Sequence, residues 1–161
     1  MNNCTVKIRL VLFSLVGVII LLDQIIKAWV EQVRPYIEII PGFFHLIYVR
    51  NAGAAFGILQ GKQYLLAVVS AIAIVVLGYL LLKESTERKG LLLALSLILG
   101  GTIGNFIDRV RLKYVIDFLD FHIKTHHWPA FNVADSAISI GVALLVLLTV
   151  REEFLAKHSQ E

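Results

Sequence analysis

Residues 64–82 read YLLAVVSAIAIVVLGYLLL, nineteen positions without one charged side chain. About 20 apolar residues cross a bilayer as a helix, so this stretch predicts a transmembrane span. It is not alone. Residues 91–107 give seventeen more uncharged positions before Asp108-Arg109, residues 10–22 give thirteen before Asp23, and residues 136–150 give fifteen after Asp135. The last two runs reach span length only if each admits an acid near one end. The reading is therefore four spans, at about 9–28, 63–82, 91–110 and 133–150, in a single domain covering 1–161. The segments 29–62 and 111–132 are its two long loops, and KESTERKG at 83–90 is a short solvated turn.

Composition agrees. Of the 161 residues, 58% are hydrophobic and 17% charged, against roughly 45–50% and 25% in soluble domains. Mean hydropathy is +0.79. A chain this short cannot bury so much apolar surface in one core, so the excess faces lipid. The net charge of +3 is scattered, with no basic stripe interleaved with aromatics, and this excludes a nucleic-acid partner. The one cysteine, Cys4, can close no internal disulfide. Lys7 and Arg9 before an apolar run resemble a signal peptide, but no small-residue cleavage site follows, so a retained first span is expected. In loop 29–62, Ile47, Tyr48 and Val49 favour strand, and Gly53 and Gly57 suggest bends or bulges. A small sheet at the membrane surface is expected there.

Helices alternate in direction across a bilayer. The ends bearing Asp23 and Lys27, then Asn105, Asp108 and Arg109, then Asn132 and Asp135 therefore lie on one side, with both long loops. Ionisable residues within spans are costly and usually functional, and here they converge. Basic residues number seven on the termini side and eight on the loop side, so the positive-inside rule is undecided by count. Lys7 and Arg9 before the first span, with the basic turn 83–90, favour termini inside.

Three segments carry chemistry. GGTIGNFIDRV at 100–110 sets Gly101, Asn105 and Arg109 on one helix face and places Gly100 and Gly104 for close helix approach. YVIDFLDF at 114–121 holds Asp117 among apolar neighbours, which raises a carboxyl's pKa; Asp120 fits a solvated loop acid. PAFNVADSAISIG at 129–141 starts the fourth span with Asp135 in its first turn, where the helix dipole favours a carboxylate, three residues after Asn132. Ser136 and Ser139 pack or bond back within that helix. Two carboxyls meeting in a partly dry site cannot both ionise easily and share a proton, as in an aspartic protease. Asn51 is a candidate orienting residue or a turn residue, and Asp23 and Lys27, four apart, can pair. His122, His126 and His127 are considered as metal ligands, but they read as a polar loop, so neither metal nor cofactor is expected; His45 and His158 read as surface residues.

DQIIK at 23–27, RNAGAAFGI at 50–58, GNFIDR at 104–109, VIDF at 115–118 and PAFNVADS at 129–136, in this order, resemble the signature blocks of lipoprotein signal peptidase (signal peptidase II). The resemblance spans about residues 10–150. It implies an all-α membrane protein of four transmembrane helices with a small extracytoplasmic β-sheet. It further implies a multi-pass aspartic endopeptidase of the bacterial cytoplasmic membrane, with both termini cytoplasmic and the active site near the outer face. Such enzymes cut prolipoproteins just before a diacylglyceryl-modified cysteine. By position in the blocks, Asp117 and Asp135 resemble the catalytic dyad. Asn51, Asn105, Arg109 and Asn132 resemble residues that shape the pocket, with Asp23 and Lys27 supporting and Asp108 structural. The expected partners are prolipoprotein substrates and membrane lipid, for a monomeric enzyme. The alternative is a small ion- or proton-coupled transporter, whose acids should lie near the bilayer midplane and whose halves often repeat.

Overall fold

The computed structural model describes residues 3–53 and 58–158. Helix α1 runs over Asn3–Val33, strands β1 and β2 over Ile37–Ile40 and Phe44–Asn51, and helices α2 and α3 over Gln63–Lys83 and Lys89–Leu112. Strands β3 and β4 cover Val115–Ile123 and His126–His127, and α4 covers Val133–His158. All four helices are long and apolar enough to cross a membrane. They extend past the expected spans at most ends, because helix continues into the interface after the uncharged run stops. The expected bend at Gly57 and the side chain of His158 lie outside the described residues.

Helix α3 packs against α1, α2 and α4. Half of its span window is buried, against 11–17% for the other three, so α3 is the axis and the others turn most of their surface to lipid. Along α2, Val68, Val69, Ile72, Val75 and Tyr79 are all exposed. Glycines permit the close packing around α3. A Cβ on Gly101 would stand 2.3 Å from the Ala134 carbonyl oxygen of α4, and one on Gly104 would stand 2.7 Å from Asp23 Oδ2 of α1. Below these glycines lies an apolar cluster of Leu12, Val16, Leu81, Leu92, Leu95 and Leu99. A second cluster, Val30, Ile116 and Phe118, ties the end of α1 to β3. The polar residues of the spans form a layer between the two.

The sheet is antiparallel in the order β1-β2-β3-β4. Loop 29–62 supplies only half of it; loop 111–132, for which no strand is expected from the sequence, supplies β3 and β4. The hydrophobic run YVIDFLDF had no clean alternation because β3 is covered on both faces, with Val115, Ile116, Asp117 and Phe118 all buried. This corrects Asp120, which is not a loop acid but a buried strand residue at 4% exposure. His45 is likewise not a surface residue: it is 8% exposed and pairs with Asp120 across β2 and β3. At the opposite end the turn 83–90 is more than solvated chain. Arg9 donates to the carbonyl oxygens of Leu81, Leu82 and Glu84 at the end of α2, where a cation offsets the helix dipole. Cys4 is a free, exposed thiol.

Glycine at 101 should be irreplaceable by a larger residue. Gly101→Val is expected to lower stability by about 1–3 kcal/mol through overpacking. Gly78→Ala on α2, where a Cβ meets nothing within 4 Å, should be neutral or stabilising by up to about 1 kcal/mol. Thermal melts of the two variants in one detergent test the contrast.

Candidate active site

The site starts from Lys27. The residue is 1% exposed, and its ammonium lies 2.8 Å from Asp23 Oδ2 and 2.9 Å from Asp108 Oδ2. Its third short contact is a bond to Asn105 Oδ1 at 2.9 Å. A buried ammonium requires such partners, since desolvating it alone costs several kcal/mol. The acids are held in turn. Asp23 Oδ1 accepts the Ala134 amide at 2.9 Å, and Asp108 Oδ2 accepts the Ile116 amide at 3.2 Å. Gln24 Nε2 donates to Asp23 Oδ2, Asp108 Oδ1 and the Gly104 carbonyl oxygen at 3.0–3.2 Å. One ion cluster thus fastens α1 to α3, to the start of β3 and to the start of α4.

From this cluster two asparagines reach outward to the two acids. Asn105 presents its oxygen to Lys27, which leaves its Nδ2 to donate to Asp135 Oδ1 at 2.7 Å. Asn132 Nδ2 donates to Asn105 Oδ1 at 3.1 Å and to Asp117 Oδ1 at 2.7 Å. Its Oδ1 accepts the Asp135 amide at 2.8 Å, an N-cap for α4. Asp117 is further held by Asn51 Nδ2, which donates to its Oδ2 at 2.9 Å. The sheet register accounts for that contact. Val49 pairs with Asp117 and Asn51 with Val115, so Asn51 sits diagonally across the same face as Asp117. Asn51 is also a turn residue, its Oδ1 accepting the Gly53 amide at 2.9 Å. The segment before α4 runs beside β3, with the Leu119 amide donating to the Phe131 carbonyl at 2.8 Å, and this sets Asn132 next to Asp117.

Asp117 and Asp135 both line an open cleft of about 780 Å³ with Asn51, Asn105 and Arg109. Burial and then the nearby charge of Asp135 push the Asp117 carboxyl up to about 7. Arg109 reaches the Asn105 carbonyl oxygen only at 3.5 Å, and its buried Nε has no partner among the described residues. All eight residues singled out in the sequence therefore come together: five on the cleft, Asn132 immediately behind it, and Asp23 and Lys27 beneath. The sequence reading missed Gln24 and understated Asp108. Asp108 stands three residues after Asn105 and seven after Gly101, on the same helical stripe, which was the available signal. Gln60 and Trp128 on the cleft wall carried none. Ser136 bonds back to Asn132 as expected, at 2.8 Å, while Ser139 lines the cleft.

The histidines form a separate group on the sheet. His45 Nε2 and His122 Nε2 lie 3.3 Å apart, His127 Nδ1 is 3.0 Å from Asp120, and the His122 and His127 rings stack at 4.8 Å. Among the described residues no three His, Cys, Asp or Glu side chains are placed to hold one metal ion.

The family model described as signal peptidase (SPase) II matches residues 15–151. The chain belongs to the signal peptidase II family. Among its relatives, the lipoprotein signal peptidase of Geobacter metallireducens is 44% identical over 149 residues, covering 88% of this chain and 92% of that protein. That of Halothermothrix orenii is 46% identical over 146 residues, covering 88% and 96%. Two solved structures described as bacterial membrane enzymes, obtained by the in meso method at 2.3 and 1.9 Å resolution, superpose with TM-scores of 0.82 and 0.77. They are 32% and 33% identical to this chain; the first covers 89% of both chains, the second 86% of this one and 92% of its own. The chain is thus a multi-pass membrane peptidase of the signal peptidase II family, and the transporter alternative is not favoured. The small sheet and the four apolar helices belong to that membrane-enzyme fold.

Two outcomes follow from the cluster. Lys27→Met leaves two buried carboxylates without their cation and should cost about 3–5 kcal/mol, read as a fall in melting temperature. Asp117 acts in the opposite sense. Its carboxyl is raised in the folded state, so the stability it contributes is full below its unfolded value near 3.8 and is lost as pH rises through about 7. Melts recorded below and above pH 7 should show wild type losing stability relative to Asp117→Asn on the alkaline side.

Proposed function

We propose that this chain is an aspartic endopeptidase of the bacterial cytoplasmic membrane that removes signal peptides from prolipoproteins, cutting just before a diacylglyceryl-modified cysteine. The observation that carries the reading is the asparagine bridge: Asp117 and Asp135 face one cleft at the helix ends and are joined through Asn132 and Asn105. Asp117, raised to about 7, lets the pair keep one proton near neutral pH. The ionised member takes a proton from a water as it attacks the scissile carbonyl. The protonated member donates to the developing oxyanion, and the proton then passes to the leaving amine. No nucleophilic side chain is needed.

Each proposed supporting role has a contact behind it. Asn51 and Asn132 hold Asp117 from two sides, and Asn105 holds Asp135. Arg109, whose buried Nε on the cleft has no partner among the described residues, donates to a substrate carbonyl as a guanidinium fork. Asp23 and Lys27 act beneath the site by fixing Asn105 and the first turn of α4. The cleft continues along α4 past Ile138 and Ile140, an apolar wall suited to a lipid-modified residue. Lys7 and Arg9 before the first span support cytoplasmic termini and a cleft at the extracytoplasmic face.

The test is a purified assay with a diacylglyceryl-modified prolipoprotein. Asp117→Asn and Asp135→Asn should each lower cleavage by about a thousandfold or more while melting as folded proteins. Undiminished cleavage by either variant would remove that acid from the dyad, and loss of wild-type activity with a chelator would replace the dyad with metal chemistry.

A further inference from the structure

The basic residues of the loop side are too many for the roles so far assigned. Of the eight, Lys27 is consumed by the ion cluster and Arg109 by the cleft. The other six, Arg34, Arg50, Lys62, Arg111, Lys113 and Lys124, are exposed, and none has a carboxylate within 4 Å among the described residues. The acids on this side are nearly all engaged elsewhere. Asp23 and Asp108 hold Lys27, Asp117 and Asp135 form the cleft pair, Asp120 meets histidines, and Glu38 accepts the Gly42 amide. Only Glu31 remains, hydrogen-bonded to Tyr114 at 3.4 Å.

Three of these cations lie against aromatic rings. The Arg34 guanidinium lies 5.4 Å from the Tyr48 ring, and the Arg50 guanidinium lies 5.7 Å from Tyr48 and 5.0 Å from Tyr114. The Arg50 Nε donates to the Tyr48 hydroxyl at 2.8 Å, and the Tyr48 and Tyr114 hydroxyls stand 3.4 Å apart. Lys113, which ends α3 in a left-handed turn, lies 5.2 Å from the Tyr64 ring at the start of α2. Exposed Trp29 and Tyr64 sit near helix ends, where aromatic side chains mark the depth of lipid headgroups. The result is a collar of like charge at headgroup depth, joining the ends of α1 and α3 to the start of α2. With Glu31 as the one nearby acid, the collar keeps an excess of positive charge, and guanidinium groups match phosphate oxygens in geometry.

We propose that this collar is a binding surface for the headgroup phosphates of anionic phospholipids. A nearby anionic headgroup favours each basic residue by about fivefold at low salt. The surface lies beside the cleft rather than in it, since Arg34, Lys62, Arg111 and Lys113 line no part of the cleft and only Arg50 borders both.

The experiment uses the full chain reconstituted in phosphatidylcholine bilayers with spin-labelled anionic or zwitterionic lipid. Electron paramagnetic resonance then gives the relative affinity of each lipid for the protein surface. Wild type should prefer the anionic label severalfold, and Arg34→Gln with Lys113→Gln should lower that preference clearly, the remainder resting on Arg50, Lys62 and Arg111. Arg34→Lys with native Lys113, which keeps both charges, should retain most of it, and Lys83→Gln with Lys89→Gln, on the opposite side, should leave it intact. Thermal melts confirm that each variant is folded. Parity in wild type, or an unchanged preference in the double glutamine variant, would overturn the proposal. So would its abolition by inorganic phosphate at constant ionic strength, which would make the collar a site for a free anion.

Discussion

A single buried ammonium governs this architecture. Lys27, between Asp23, Asp108 and the side-chain oxygen of Asn105, sits where two apolar clusters would otherwise meet across hydrocarbon. Its neutralisation demands acids from two helices. Those acids, once ionised, seek amide donors and find them at Ile116 and Ala134, the second residues of the strand and helix that carry Asp117 and Asp135. The cost of burying one charge is thereby converted into a fixed relation among α1, α3, β3 and α4. Loss of the cation would leave two uncompensated carboxylates, which is why the cluster is all-or-none in character.

The asparagines translate that relation into a polar cleft. Each has one amide oxygen and one amide nitrogen to place, and the ion cluster dictates which way round. Asn105 must turn its oxygen to Lys27, so its nitrogen faces Asp135. Asn132 must turn its oxygen to the Asp135 amide, so its nitrogen faces Asp117. An aspartate or leucine at either position would have the wrong donor pattern. Small residues at 101 and 104 serve the same end, since any side chain there would push Ala134 or Asp23 away.

Much of this was legible in the sequence because the bilayer is a strict solvent. Uncharged runs of span length admit few structures besides helices, and helix direction alone gathered Asp23, Asn105 and Asp135 on one side. Lys27 with Asp23, and Arg109 with Asn105, were readable from four-residue spacing. What escaped depended on contacts between distant segments. Gln24 acquires its role only when α3 lies against α1. The sheet's second half was hidden because β3 is buried on both faces and shows no alternation. Asp120 read as a solvated loop acid and His45 as a surface residue because nothing local reveals that two strands will bring them together. The likeness to signal peptidase II carried site roles that spacing alone left open, and membership of that family now rests on a match over residues 15–151.

The account stands on Asp117 and Asp135 sensing each other across the cleft. Infrared difference spectroscopy of the protonated-carboxyl band, followed through pH in wild type and in Asp135→Asn, measures this directly. The account predicts a band from Asp117 that titrates near pH 7 in wild type and moves to lower pH when the neighbouring charge is removed. A titration unchanged by Asp135→Asn would show two acids that do not share a site, and would contradict it.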